Sequence, residues 1–155
     1  MTHQPYRTWQ QADAVDVVAP DGSTVTPLGE LPGVASMARF ELAAGAVSRA
    51  VSHATVQEIW HVVAGSGRLW RRQGGRAEIT PLRVGITVSI PLGTAFQFRA
   101  DEGAAALVIL ATTVPSWPGT DTEARPELGP WQAEGHDEDH RHDAQGPGPG
   151  RPVRP

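Results

Sequence analysis

Apolar side chains in this chain recur at every second residue, in short runs that glycine or proline cuts off. No long stretch keeps the spacing of an amphipathic helix. With 17 glycines and 14 prolines among 155 residues, helices of ordinary length would be interrupted repeatedly. Val34 to Leu42 shows the pattern clearly, with Ala38, Phe40 and Leu42 on one face and Met37, Arg39 and Glu41 on the other. Further strands are expected at about 47–53, 57–64, 66–73, 76–83, 86–90, 95–99 and 104–113, with Gly65 and Gly74-Gly75 as turn points. Pro20-Asp21-Gly22-Ser23 reads as a tight turn between Val15–Val17 and Thr24–Thr26, because Asp-Gly supplies the positive φ such a turn needs. Pro27 to Gly33 reads as loop. Many short strands at this spacing predict an all-β sandwich or barrel rather than a parallel sheet.

The same sequence excludes several chemistries. Cysteine is absent, so there are no disulfides, thiolate nucleophiles or sulfur-ligated zinc. All 13 basic residues are arginine, which removes lysine Schiff bases and the lysine of a phosphate-binding loop. The N-terminus has no charged start followed by an apolar run, and the longest apolar stretch, Ala104 to Ala111, is far short of the ~20 residues of a membrane helix. A soluble, cytoplasmic protein without a membrane partner is expected. A net charge of −4 offers no electrostatic footprint for nucleic acid. Arg68, Arg71, Arg72 and Arg76 crowd one hairpin but fall on both faces, as in a solvated surface.

The grammar changes after Val114. Prolines and glycines from Pro115 to Pro130 break any regular element, yet Trp117, Leu128 and Trp131 are costly to leave in water, so this arm is expected to pack on the barrel. Residues 132–155 have only Ala133, Ala144 and Val153 as apolar side chains and are expected to be disordered. Within them His136, His140 and His142 read as part of a polar tail. One domain spanning 1–131, followed by that tail, is the organisation the length supports.

Two spaced motifs sharpen the fold. Gly45, five residues, Val51-Ser52-His53, four residues, Glu58, six residues and Gly65 resemble the first cupin signature. Gly85, five residues, Pro91-Leu92-Gly93, two residues, Phe96, three residues and Ala100 resemble the second. The string QEIWHVVAGSGRLWR is similar to a stretch found in small bacterial cupins, and the Trp117-Pro118-Gly119 arm ending near Trp131 resembles their C-terminal extension. The resemblance covers residues 34–113. It implies a single cupin-type antiparallel β-barrel, that is, a double-stranded β-helix or jelly roll. It also implies a homodimer, since many members pair through edge strands.

The chemistry departs from the family. Val51 and Phe96 stand where cupins place metal-binding histidines, and Ala100 stands at the final Asn position, leaving His53 and Glu58 of four expected ligands. Strand alternation turns Val51 and His53 to one face, Glu58, Trp60 and Val62 to another shared face, and Phe96 together with Phe98. His61 is sent to the face opposite Glu58 and does not complete a metal triad; Gln57 and Gln97 are the available neutral oxygen donors. The expected site is therefore a largely apolar pocket for a small organic molecule, lined by Val51, Trp60, Phe96 and Phe98, with Arg39 a candidate for an anionic substrate group if it faces the cavity, and otherwise for a surface salt bridge with Glu41 or Glu78. His53 and Glu58 form a candidate acid–base pair, Glu58 stabilising the imidazolium, with no cofactor required. Lyase, isomerase or cyclase chemistry would follow. Two alternatives stay open: a ligand-binding or sensor module without chemistry, and an oxygenase or isomerase holding a divalent transition metal through His53 and Glu58.

Overall fold

The computed structural model describes residues 2–103 and 105–133. The polar tail expected from residue 132, with His136, His140 and His142, lies outside the described residues apart from Gln132 and Ala133. Eleven strands, β1 (Val17–Val18), β2 (Thr24–Leu31), β3 (Ala35–Leu42), β4 (Val51–His53), β5 (Gln57–Ala64), β6 (Ser66–Gln73), β7 (Arg76–Arg83), β8 (Thr87–Ile90), β9 (Ala95–Ala100), β10 (Leu107–Val114) and β11 (Ala124–Pro126), follow one 3-10 turn at Gln11–Asp13. They form two antiparallel sheets, in the orders β1-β2-β3-β10-β5-β8 and β11-β4-β9-β6-β7. No described helix is long and apolar enough to cross a membrane.

Period-two alternation builds the core between the sheets. Along β5, Glu58, Trp60 and Val62 are buried while Gln57, Ile59, His61 and Val63 face out. Leu69 of β6, Leu82 of β7, Phe98 of β9 and Ile109 of β10 are fully buried, each removing the apolar surface that drives collapse, about 1.5–3 kcal/mol per side chain. The edges of three phenylalanines, Phe40, Phe96 and Phe98, meet Trp60 with ring centroids 5.9, 5.5 and 5.0 Å away. Phe40 comes from its own sheet and the other two from the opposite one, so these contacts tie the layers together.

The N-terminal hairpin forms as expected, with Val17 opposite Val25 and Gly22 at φ 94° in its turn. The loop expected from Pro27 to Gly33 is instead mostly strand. A bulge between Pro27 and Gly29 lets β2 continue alongside β3 to Leu31, since Pro27 lacks an N–H for regular pairing and the extra residue absorbs the irregularity. The arm after Val114 returns to the barrel, where β11 pairs with β4. Gln97 fixes its far end, donating to the carbonyls of Ser48 and Trp131, both at 2.8 Å, and accepting from the Trp131 N–H. Leu128 departs from the expected packing and is exposed.

Gly65 closes the tight β5–β6 connection at φ 72°, and a Cβ there would collide with the Ala106 carbonyl. Gly65→Ala should therefore lower stability by more than the roughly 1 kcal/mol of a simple glycine effect. Urea denaturation followed by tryptophan fluorescence checks this; an unchanged midpoint would contradict the steric argument.

Candidate active site

Strand pairing brings the two motifs together. Val51 of β4 lies directly opposite Phe96 of β9, so the two apolar residues at the histidine positions are register neighbours. His53 follows at the end of β4, and Glu58 and Trp60 enter from β5. Together they line the buried part of a cavity of about 810 Å³ that opens between the N-terminal hairpin and the C-terminal arm. Phe40 and Ala111 extend the apolar wall, while Trp9 reaches it from the N-terminal segment and Trp117 from the arm after Val114.

Two expected lining residues lie elsewhere. Phe98 is fully buried and packs against Trp60, but is not part of the cavity wall. Arg39 faces the other side of β3 and is ion-paired with Glu41 at 2.7 Å, because Ala38 and Phe40 take the cavity side by alternation. His61 points outward and its Nδ1 meets the Thr87 hydroxyl at 2.8 Å.

His53 and Glu58 are close but not hydrogen-bonded. Nδ1 of His53 is 3.8 Å from Oε1 of Glu58, too far for a hydrogen bond, and is buried without a partner. Oε2 of Glu58 accepts from the Trp60 indole N–H at 2.5 Å. Burial pushes the His53 imidazole down to about 4, partly opposed by the negative Glu123. Burial also pushes the Glu58 carboxyl up to about 8; the Trp60 hydrogen bond opposes the rise and Asp21 adds to it. Near neutral pH the pair is therefore an uncharged imidazole beside a protonated carboxylic acid. Loss of hydration thus works against the imidazolium–carboxylate pair expected from the sequence.

The sequence reading missed three residues around this pair. Trp117 of the arm sets its ring edge against His53, 5.2 Å between centroids, matching Phe96 at the same distance. Glu123 is buried and accepts from the Thr55 N–H and hydroxyl and from the Val56 N–H, at 2.7–2.9 Å, which holds the turn between β4 and β5. Burial raises its carboxyl, but those hydrogen bonds and the nearby His53 outweigh it and leave it below the ordinary value. Asp21, in the first hairpin turn, is buried on the cavity wall; burial raises its carboxyl against the hydrogen bonds from Ser23. A signal existed only for Asp21, as a turn residue. Nothing local marks Glu123 or Trp117 as neighbours of His53.

The donor set does not fit the metal of a cupin site. Among the described residues no group of three or more His, Cys, Asp or Glu converges as a metal centre. Val51 and Phe96 offer no lone pair, and Gln97 spends its amide on Ser48 and Trp131. A serine nucleophile is not assembled either. The Ser52 hydroxyl donates to Glu127 at 2.8 Å, and the Ser48 hydroxyl accepts from the Phe98 N–H at 3.0 Å.

No protein-family model matches the chain, and no curated protein sequence matches it significantly. Solved structures do resemble it. Pac13 of Streptomyces, described as a unique nucleoside dehydratase, shares 14% identity with a TM-score of 0.61 over 80% of this chain and 92% of that one. A variant of Pac13 bound to uridine aligns at 13% identity with a TM-score of 0.62. Oxalate decarboxylase of Bacillus subtilis aligns at 17% identity and a TM-score of 0.64, over 79% of this chain and 33% of its own length. CapF of Staphylococcus aureus, a capsular polysaccharide assembling protein, aligns at 18% identity and 0.58, over 72% and 33%. These identities carry the fold alone, which is the cupin-type antiparallel barrel.

The charge states make a stability prediction. Folded Glu58 holds its proton up to about 8 against 4.5 for an ordinary glutamate, so native stability falls as pH rises through that window. Folded His53, at about 4 against 6.5, makes stability fall as pH drops through its own window. Glu58→Gln keeps an acceptor for Trp60 and removes the alkaline loss. Its Tm relative to the parent should rise by roughly 3 °C or more between about pH 5 and about pH 8. A pH-independent difference would contradict the protonated carboxyl.

Proposed function

We propose that this protein binds a small organic molecule in the barrel and catalyses a metal-independent elimination or isomerisation on it, with His53 as general base and Glu58 as general acid. The observation that carries the reading is the buried His53–Glu58 pair, 3.8 Å apart, on the wall of an otherwise largely apolar cavity. A general base must be free of its proton and a general acid must hold one, and burial arranges both at the same pH.

For a dehydration the steps balance without a cofactor. Neutral His53 takes a proton from a substrate carbon, the C–H electrons form the new double bond, and the hydroxyl on the adjacent carbon leaves with the proton of Glu58 as water. The result is an imidazolium beside a carboxylate, whose mutual attraction offsets part of the desolvation cost of separating the charges. Return of the proton from His53 to Glu58 restores the starting pair. An isomerisation uses the same two groups to remove a proton at one atom and deliver one at another. Phe96 and Trp117, in T-shaped contact with the imidazole, would restrain the ring during proton transfer. The likeness in fold to the nucleoside dehydratase Pac13 supports a lyase-type reaction and makes uridine and related nucleosides the first ligands to screen. A homodimer belongs to the same reading, with the exposed Val17 and Val18 of the short β1 edge as its contact.

Three measurements test this. With a turned-over substrate in hand, His53→Gln and Glu58→Gln should each lower kcat by about 10²–10⁴. The pH profile of kcat/KM should be bell-shaped, with limbs near 4 and 8 from His53 and Glu58. Undiminished turnover in His53→Gln would end the catalytic reading, and saturable binding without product would favour a sensor. Sedimentation analysis of the parent and of Val18→Glu should show a dimer lost in the variant.

A further inference from the structure

We propose that the cavity is built to exclude anions, so that its substrate is an uncharged or cationic molecule with a flat aromatic part, and not a phosphate ester or a carboxylate. The inference rests on the reading of this cavity as a substrate site and names the class of substrate it takes.

The lining carries four carboxyl groups, Asp21, Glu30, Glu58 and Asp121. Among the described residues that line it there is no arginine, and the chain has no lysine at all. Arg39, a candidate for an anionic group had it faced the cavity, is engaged with Glu41 on the opposite face of β3. Arg49 is close enough to act on Asp21, but it is outside the lining and its guanidinium is directed at the Pro20 carbonyl at 3.5 Å. Among the described residues the one basic group that faces the cavity is His53, only 8% exposed and with Nδ1 unpartnered, and its burial opposes the positive charge an anion would need. An entering phosphate or carboxylate would lose its hydration, meet the carboxyl groups of Glu30 and Asp121, and gain no counter-ion from the described lining residues.

The same wall suits neutral and cationic rings. Trp9, Phe40 and Trp117 contribute accessible aromatic surface from three separate segments, backed by the buried Trp60 and Phe96. Such surface stacks on flat ligands and attracts cations through the ring faces. Asp21 supplies a polar anchor: the Ser23 N–H and hydroxyl both donate to Oδ1, at 2.9 and 2.6 Å, so Oδ2 is the oxygen left to meet a ligand hydroxyl or ammonium.

A matched set of indoles differing only in side-chain charge tests the selection on the full chain by isothermal titration near neutral pH. Tryptophol and tryptamine should saturate one site, and indole acetate should bind about tenfold or more weakly. Met37→Arg places a cation at the half-exposed mouth, where folding tolerates it, and should recover indole acetate affinity about tenfold while weakening tryptamine. Equal affinities for the three probes, tightest binding of indole acetate, no binding of any, or an unresponsive Met37→Arg would each overturn the proposal. Because the readout is binding, the two readings fail separately: charge selection without turnover defeats catalysis alone, and tight uptake of anions by an active protein defeats the selection alone.

Discussion

The Trp60 side chain joins fold and chemistry in one contact network. It has no solvent exposure, it takes the edges of Phe40, Phe96 and Phe98 from both sheets, and its indole N–H donates to Glu58. The apolar body of the ring belongs to the core, while its one polar atom satisfies the carboxyl that the core has taken out of water. An indole is suited to both tasks, since it combines large buried area with a single donor. Removing it would open the inter-sheet core and leave Glu58 buried without its partner, so stability and site chemistry are coupled through this residue.

Desolvation is the dominant electrostatic influence on the pair. Burial shifts each of His53 and Glu58 toward its neutral form, lowering the imidazole and raising the carboxyl. Glu123 shifts the opposite way. Three hydrogen bonds from Thr55 and Val56, together with the nearby His53, outweigh its desolvation and hold its carboxyl below the ordinary value. At Glu58 desolvation is the larger influence and a single donor, the Trp60 indole, opposes it. The negative Glu123 tempers the effect of burial on His53 without reversing it.

Strands were legible where local rules sufficed. The bounds of β5, β6 and β7 follow from alternation punctuated by Gly65 and Gly74-Gly75, and the outward turn of His61 follows from parity alone. The β2 bulge was not legible, because Pro27 and Gly29 look like loop residues until a partner strand is available to be bulged against. Arg39 was ambiguous for a related reason: parity puts it opposite Phe40, but only the placement of the sheets says which of the two faces the cavity. The arm was legible as something that must return to the barrel, yet not where it lands. Trp117 meets His53 across 64 residues of chain, and Leu128 stays in solvent despite its hydrophobicity.

What the sequence by itself determined is the all-β character, the cupin-like spacing of its two motifs, and the loss of metal-binding side chains at Val51 and Phe96. These are matters of residue type and period two, and both are written into the chain. What only the tertiary structure decided is the state of the residues that remained. Whether His53 carries a proton, whether Glu58 gives or accepts one, and whether any cation reaches the cavity depend on how far each group is removed from water and which donors surround it. Those are long-range quantities, set by packing between segments far apart in the chain, and no local pattern encodes them.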